Sequence, residues 1–278
     1  MDIDINTVRV ARSRADCVLR PGEAFLGGGT FLYSEPVPAG VTGLVDLTGM
    51  GWEPWSVDGS GLRVAGTCTL EELLAGPGRL GASSDGPYRG LGIVGECVSA
   101  LTLSAKVART ATVGGNLALG LPAGSMIGLF AALSAVAVVW TPDGGAREVA
   151  VIDLVKGPGR VDLAPGEVLR EVRVPAVALG QRTAFRRASL APNGRTAAMV
   201  TGRRTGEDVA LVLTASVPEP HAFLLREDGH DALDGWLRWI AGHDGGVWYE
   251  DTHGSREWRA AMTRRLAHEA LEELGGAA

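Results

Sequence analysis

The sequence predicts an α+β protein built in two parts. Three observations predict it. Up to about Pro175, short strand-like and helix-like patterns alternate between glycine-rich turns. From Ala176 onward the pattern changes to strands suited to an antiparallel sheet, followed by a terminal amphipathic helix. The 278 residues are 46% hydrophobic and 21% charged, enough to bury a substantial core and unlike a disordered chain. The boundary is expected near residue 177, giving parts 1–177 and 178–278.

The elements follow in order. "GLRVAG" has strand character, and "TCTLEELLAG" starts a helix, with Thr69 and Glu72 forming a capping box and Gly76 as its expected stop. "GIVGECVSALTLSAKVA" is expected to form a second helix, and "TATVGGNLA" reads as a β-branched run broken by two glycines. "MIGLFAALSAVAVVW" reads as a buried helix running into a strand. "AVAVVW" and "AREVAV" then form a hairpin turned by Asp143-Gly144. "LAPGEVLREVRVP" closes the first part with a strand reaching Pro175. In the second part, "TAFRRAS", "TAAMVTGRRTG" and "DVALVLTASV" are the expected strands. The terminal helix carries Trp258, Met262, Leu266 and Ala270 at i+4 steps on one apolar face.

Composition narrows the function classes. A net charge of -6 argues against a nucleic-acid partner, which needs a basic face, but leaves room for an anionic small ligand held by backbone N–H groups. The opening "MDIDINTVRV" has neither the basic region nor the apolar core of a secretory signal, and the most apolar stretch, Met126 to Trp140, is too short for a membrane span. No membrane insertion and a cytoplasmic location are therefore expected. Cys17, Cys68 and Cys97 are far apart and form no C-x-x-C pair, so they read as buried hydrophobes rather than metal or cluster ligands. His221, His230, His243, His253 and His268 match no metal-binding spacing, and "GHDGG" reads as a loop. No metal site is expected. Local sequence suggests no Ser/His/Asp or Cys/His arrangement, and no catalytic side chain is assigned. Trp52 and Trp55, and Trp236, Trp239, Trp248 and Trp258 near the end, serve packing or anchor a partner subunit.

Two glycine motifs remain. In "FLGGGTFLY" (Phe25 to Tyr33) three glycines follow an apolar run, where a missing Cβ allows backbone amides to approach a phosphate. The stretch matches neither a Walker loop nor the Rossmann fingerprint, and taken alone it reads first as a tight turn needing positive φ. "TVGGN" (Thr112 to Asn116) is a second glycine loop beside an apolar, β-type run, again with Thr and Asn to bond a ligand. Together the two suit a long anionic cofactor gripped in its middle, such as a dinucleotide.

At these residues the sequence resembles the FAD-binding medium subunit of the molybdenum hydroxylases, the family of carbon monoxide dehydrogenase medium subunits and the xanthine dehydrogenase FAD domain. "GGGTFLY" and "ATVGGNLA" stand where that family has loops close to "AGGTSLL" and "ATIGGNLA". "GLVDLTGM", "GLRVAGTCTLEEL", "LAPGEVLREVRVP", "TAFRRAS" and "GSREWRAAMTRRLAHEAL" agree with it in order along nearly the whole chain. The resemblance implies an α+β, two-subdomain FAD-binding fold of the vanillyl-alcohol-oxidase/PCMH type over 1–177, with subdomains of about 1–55 and 56–177. A smaller C-terminal α+β domain of antiparallel sheet and helices follows over 178–278.

It further implies that Gly27, Gly28, Gly29, Thr30 and Phe31 cradle the FAD pyrophosphate with backbone donors. Gly114 and Gly115, next to Val113, would do the same with backbone donors from the other side, and Thr112 and Asn116 would add side-chain bonds. Leu169 would pack on the flavin rings and Arg186 would lie near the flavin's oxygen-bearing edge. The implied partners are a molybdopterin-containing large subunit and a [2Fe–2S] small subunit, as a heterotrimer or a dimer of heterotrimers. This chain would pass electrons from the clusters through FAD to an acceptor. Three departures stand out: Ser125 where the family has an aspartate, Phe31 in place of a small polar residue, and a shortened segment before Gly27. A stand-alone flavin reductase of the same fold and a flavin-less structural subunit are the alternatives.

Overall fold

The computed structural model describes residues 5–83, 85–226, 229–242 and 247–275. The loop expected at His243 lies outside them. The first sheet is small and parallel: β1 (Thr7–Val10), β2 (Glu23–Leu26) and β3 (Gly43–Asp46) in the order β1-β3-β2. Central β3 is buried over Gly43, Leu44 and Val45, as a covered parallel strand must be. Arg9 on β1 reaches across it to Glu23 on β2 with two hydrogen bonds of 2.9 and 2.8 Å.

The second sheet has five antiparallel strands: β4 (Trp55–Asp58), β5 (Gly61–Ala65), β6 (Val136–Trp140), β7 (Ala146–Ala150) and β8 (Val168–Pro175), ordered β4-β5-β8-β6-β7. The β6–β7 hairpin turns where expected, with Gly144 at φ +90° and Asp143 accepting from the Gly145 amide. Trp52 and Trp140 meet edge to face at 5.4 Å, and the Arg170 guanidinium stacks 4.2 Å over Trp52, which joins the first sheet to the second.

Five helices link β5 to β6. In α1 (Leu70–Arg79), Thr69 and Glu72 make the expected capping box. Gly76 is not its stop: it packs against the Trp55 ring, and the helix runs on through Pro77. The single helix expected over Gly92 to Ala108 is two, α2 (Val94–Ser99) and α3 (Ala105–Ala108). Thr102 at φ +53° breaks the run and Ser104 caps the second piece, accepting from the Val107 amide. Next come α4 (Val113–Leu119) and α5 (Ser125–Ala132), the latter buried along its whole length. Short α6 (Val151–Leu154) and α7 (Ala176–Leu179) follow β7 and β8.

The third sheet comprises β9 (Thr183–Ala188), β10 (Ala198–Thr205), β11 (Asp208–Thr214) and β12 (His221–Arg226), antiparallel in the order β12-β11-β10-β9. The fourth strand and α8 (His230–Gly242) were not expected from the sequence. One face of the sheet carries α8 and α9 (Arg256–Gly275), while Phe185, Met199 and Val212 on the other join the core around α5. Gly128 makes that approach possible, since a Cβ there would lie 2.5 Å from the Met199 methyl. The buried stripe of α9 is Arg259, Thr263, Leu266, Ala267, Ala270, Leu271 and Leu274, so Leu266 and Ala270 face the core while Trp258 and Met262 are half-buried on its flank. Among the described residues no helix is long and apolar enough to cross a membrane.

Candidate functional site

The first glycine segment leaves β2 at Leu26, the end of a parallel strand, where chain direction must change. Each glycine has a distinct steric reason. A Cβ on Gly27 would lie 2.8 Å from the Thr112 hydroxyl oxygen, and one on Gly28 only 1.6 Å from the Thr110 carbonyl oxygen. Gly29 sits at φ +71° with the Tyr33 ring against it, in the region that favours glycine. The bare backbone is thus filled on one side by the second motif. The other side keeps its donors: among the described residues, none of the five amides from Gly27 to Phe31 donates a hydrogen bond. Half-buried amides without acceptors are rare, and the four from Gly27 to Thr30, with that of exposed Phe31, are a run of donors open to an anion.

The second motif is helical, where a broken β-run was expected. Thr112 is the N-cap of α4, accepting from the Gly115 amide at 3.0 Å, and Gly120 closes the helix at φ +57°. Capping won over β-branching because Thr112 has an amide three residues on to satisfy. The segment before the helix is fastened to residues 66–70. Leu70 donates to Ala111 at 2.9 Å, Val113 to Cys68 at 2.8 Å and Gly114 to Gly66 at 2.8 Å. Gly114 needs to be glycine because a Cβ would lie 2.5 Å from the Gly66 carbonyl oxygen. Residues 27–28, 110–112 and 66–69 therefore stack as three segments of bare backbone.

The amides of Val113, Gly114, Gly115 and Asn116 are all engaged within the protein, so Gly114 and Gly115 have no backbone donor left for a ligand, contrary to expectation. The Asn116 carboxamide oxygen is buried and has no hydrogen-bond partner. Thr112 is 3% exposed, with its hydroxyl against Gly27.

The other expected residues divide. Leu169 belongs by backbone to the same stack: its carbonyl oxygen would meet a Cβ on Gly66 at 2.2 Å, and its side chain is buried in the main core. Arg186 is on β9, paired with Glu273 at 2.7 Å and Glu269 at 3.6 Å on α9, with no hydrogen bond or ion pair to either glycine segment among the described residues. Ser125, where an acid was expected, is fully buried and donates to the Cys97 carbonyl. A charge could not be held there, so the serine belongs to the core. Phe31 is 39% exposed beside the free amides.

No titratable side chain enters the donor set, which is made of backbone dipoles. Nearby Cys68 is a buried thiol pushed up to about 12, and burial raises Cys97 and Cys17 as well. Elsewhere the structure gathers residues the sequence kept apart: His230 and His268 stack with Nδ1 atoms 2.7 Å apart, and His268 bonds Asp234 at 2.9 Å. Spacing alone gave no signal for this, because α8 and α9 bring the groups together across thirty-eight positions. Among the described residues no group of three or more His, Cys, Asp or Glu could hold a metal ion.

Comparison with known proteins gives two results. Residues 21–177, which contain both glycine motifs, match the family described as the FAD binding domain in molybdopterin dehydrogenase. The whole chain also superposes on solved structures. A CO dehydrogenase from Oligotropha carboxidovorans matches with TM-score 0.80 and 24% identity over 100% of both chains. Quinoline 2-oxidoreductase from Pseudomonas putida 86 gives 0.79 and 20% over 99% of this chain and 98% of that one. CO dehydrogenase from Hydrogenophaga pseudoflava gives 0.79 and 21% over 99% and 98%. No curated protein matches the chain in sequence.

Proposed function

Because the chain belongs to the family of FAD-binding domains of molybdopterin dehydrogenases, oxidoreductase flavoproteins with FAD as cofactor, we propose that it is the electron-transfer subunit of such a complex. In this role it takes electrons from the [2Fe–2S] clusters of a small partner subunit and passes them through FAD to an acceptor. A large subunit carrying molybdopterin oxidises the substrate. The FAD-binding part is 1–177, with subdomains near 1–55 and 56–177, and 178–278 is the C-terminal domain.

The single observation that carries this is the run of five free amides from Gly27 to Phe31 against the Thr110–Thr112 backbone. A pyrophosphate is long, anionic and rich in acceptors, and fits that donor set without a cation. In our assignment Gly27 to Phe31 hold the pyrophosphate, the Thr30 hydroxyl adds a donor, and Asn116 turns its unpartnered amide group to the cofactor. Leu169 helps fix the backbone on which the flavin rests. Arg186 acts indirectly, its charge met by α9. Bound FAD supplies the one- and two-electron chemistry that the side chains lack. The chain's own task is to orient the cofactor and keep water from its phosphates.

The experiment is an absorbance spectrum of the purified chain, followed by heat release and chromatography of the cofactor. Stoichiometric FAD supports the assignment. A protein colourless even after incubation with excess FAD would leave assembly of the complex as its role, with Phe31 as the first residue to revert to a small polar one.

A further inference from the structure

The donor loop leaves β2 in the first sheet, whereas the second glycine motif is fastened to Gly66 at the end of β5 in the second. One residue touches both sides. Arg170 lies where β8 bulges: Leu169 pairs with Val139 and Glu171 with Val138, which leaves Arg170 as the extra residue without a partner on β6. Its carbonyl accepts from the Gly66 amide at 2.9 Å, and the Gly66 carbonyl accepts from Gly114 at 2.8 Å, so its backbone supports the second motif. Its side chain reaches the first sheet. The guanidinium lies 4.2 Å over the Trp52 ring and 5.7 Å from the Trp140 ring centre, and the two rings meet edge to face. Trp52 and Phe25 pack on the small cluster of Ala11, Cys17, Val45 and Val168, and Phe25 is two residues before Gly27.

We propose that Arg170 is a positioning residue for the cofactor, setting the spacing between the donor loop and the second glycine motif. The inference rests on the flavin assignment above and deepens it. The bulge makes the bridge possible. Leu169 and Val172 both enter the main core, although a regular strand would put them on opposite faces, and the residue gained between them reaches Trp52. Glu171, 3.6 Å from Arg170, is taken more closely by Arg173 at 2.7 Å, so the ring faces rather than an ion pair fix the guanidinium. Packing around this contact is incomplete. A cavity of about 270 Å³ opens between residues 14–18 and the β6–β7 hairpin, with Cys17 and Val168 of the small cluster in its wall. Without the guanidinium each half keeps its own hydrogen bonds and loses the fixed distance between them.

The test uses the full chain and two readouts. The first needs no flavin. Spin labels on Glu35→Cys, after the donor loop, and Lys106→Cys, on α3 before Thr110, report the separation of the two halves, since both positions are exposed and the native cysteines are buried. Arg170→Met, which keeps an unbranched stem without the guanidinium, should broaden or shift that separation. The second readout is fluorescence titration of the apo-protein with FAD, at a temperature where every variant is folded. There a contact that adds only stability leaves affinity unchanged. Arg170→Met should bind FAD about tenfold more weakly, the worth of one desolvated contact between a cation and a ring. Trp52→Leu should lose as much, and the double variant no more than either, because both remove the same contact. Trp52→Phe keeps a ring face and should retain most of the affinity. Arg63→Met, which breaks an exposed pair with Asp58 inside the second sheet, should change neither readout. If Arg170→Met does not fold, Arg170→Lys takes its place; it keeps the charge without the plane and should lose part of the affinity. With a chain that binds FAD, an unchanged separation, an unchanged affinity, additive losses in the double variant or an equal loss in Arg63→Met would overturn the positioning role. An unaltered chain that binds no FAD, with a separation that Arg170→Met still alters, would overturn the flavin assignment and uphold Arg170 as the bridge.

Discussion

The Gly28 α-carbon lies so close to the Thr110 carbonyl that a methyl group there would come within 1.6 Å of the oxygen. The first glycine motif is therefore shaped by the second before any ligand arrives. Gly28→Ala should push the donor loop off Thr110, and since the loop is held mainly by that packing, cofactor affinity should fall more than fold stability. Gly114→Ala should do the reverse. Its clash with Gly66 lies inside the segment that anchors α4, so it should lower stability by about 1–3 kcal/mol, typical of overpacking a buried site. FAD retention and thermal unfolding of the two apo-proteins separate the effects; equal losses in both would show that the two glycines act as one structural unit.

Asn116 gives a prediction in which stability and affinity move oppositely. Its buried carboxamide oxygen lacks a partner, a cost that the apo-protein bears. Asn116→Ala should leave the unfolding midpoint of the apo-protein unchanged or higher, while FAD affinity falls about tenfold, the worth of roughly one hydrogen bond. Denaturant titration with and without FAD checks both halves. A lower apo midpoint with unchanged affinity would assign the residue to the fold.

Much of this was legible in the sequence because it depended on local chemistry. The capping box at Thr69, the Asp143-Gly144 hairpin and the buried α5 are each written in neighbouring residues. The donor loop was legible as glycines, but the reason for them was not, since Thr110 lies eighty-two positions from Gly28. Thr112 was misjudged because the same residue favours a strand by its branching and a helix start by its hydroxyl. The fourth strand of the last sheet and α8 were missed for another reason. β12 is an edge strand that keeps Ala222 and Leu224 exposed, so its pattern lacks a clean apolar face.

Acid stability should depend on Glu23. Two hydrogen bonds from Arg9, with help from the Arg20 amide, hold its carboxyl down to about 2. A depressed carboxylate adds stability that is complete above its unfolded value near 4.5 and is lost as pH falls toward 2. Glu23→Gln should therefore be less stable than the unaltered chain at pH 7, and the difference should shrink steadily from pH 4.5 to 2. Denaturant midpoints across that window provide the check; a constant difference would mean that Glu23 contributes shape rather than charge.

Arg259 should be the most sensitive single position of the C-terminal sheet layer. It is 1% exposed, donates to the carbonyls of Ala197, Ala215 and Gly254, pairs with Asp251 and lies 5.3 Å from the Tyr249 ring centre. The Ala197 carbonyl lies just before β10 and the Ala215 carbonyl just after β11, so one guanidinium ties both strand ends to α9 and, through Gly254, to the segment before it. Arg259→Lys keeps the charge but loses the planar fork, and cannot reach four acceptors in their positions. Arg259→Ala leaves Asp251 and three carbonyls without a donor, and should cost about 3–5 kcal/mol, the usual penalty for removing one partner of a buried pair. Arg259→Lys should fall between the two. Thermal unfolding of the three proteins decides it: a lysine variant as stable as the parent would mean that charge alone holds this corner, and geometry does not matter.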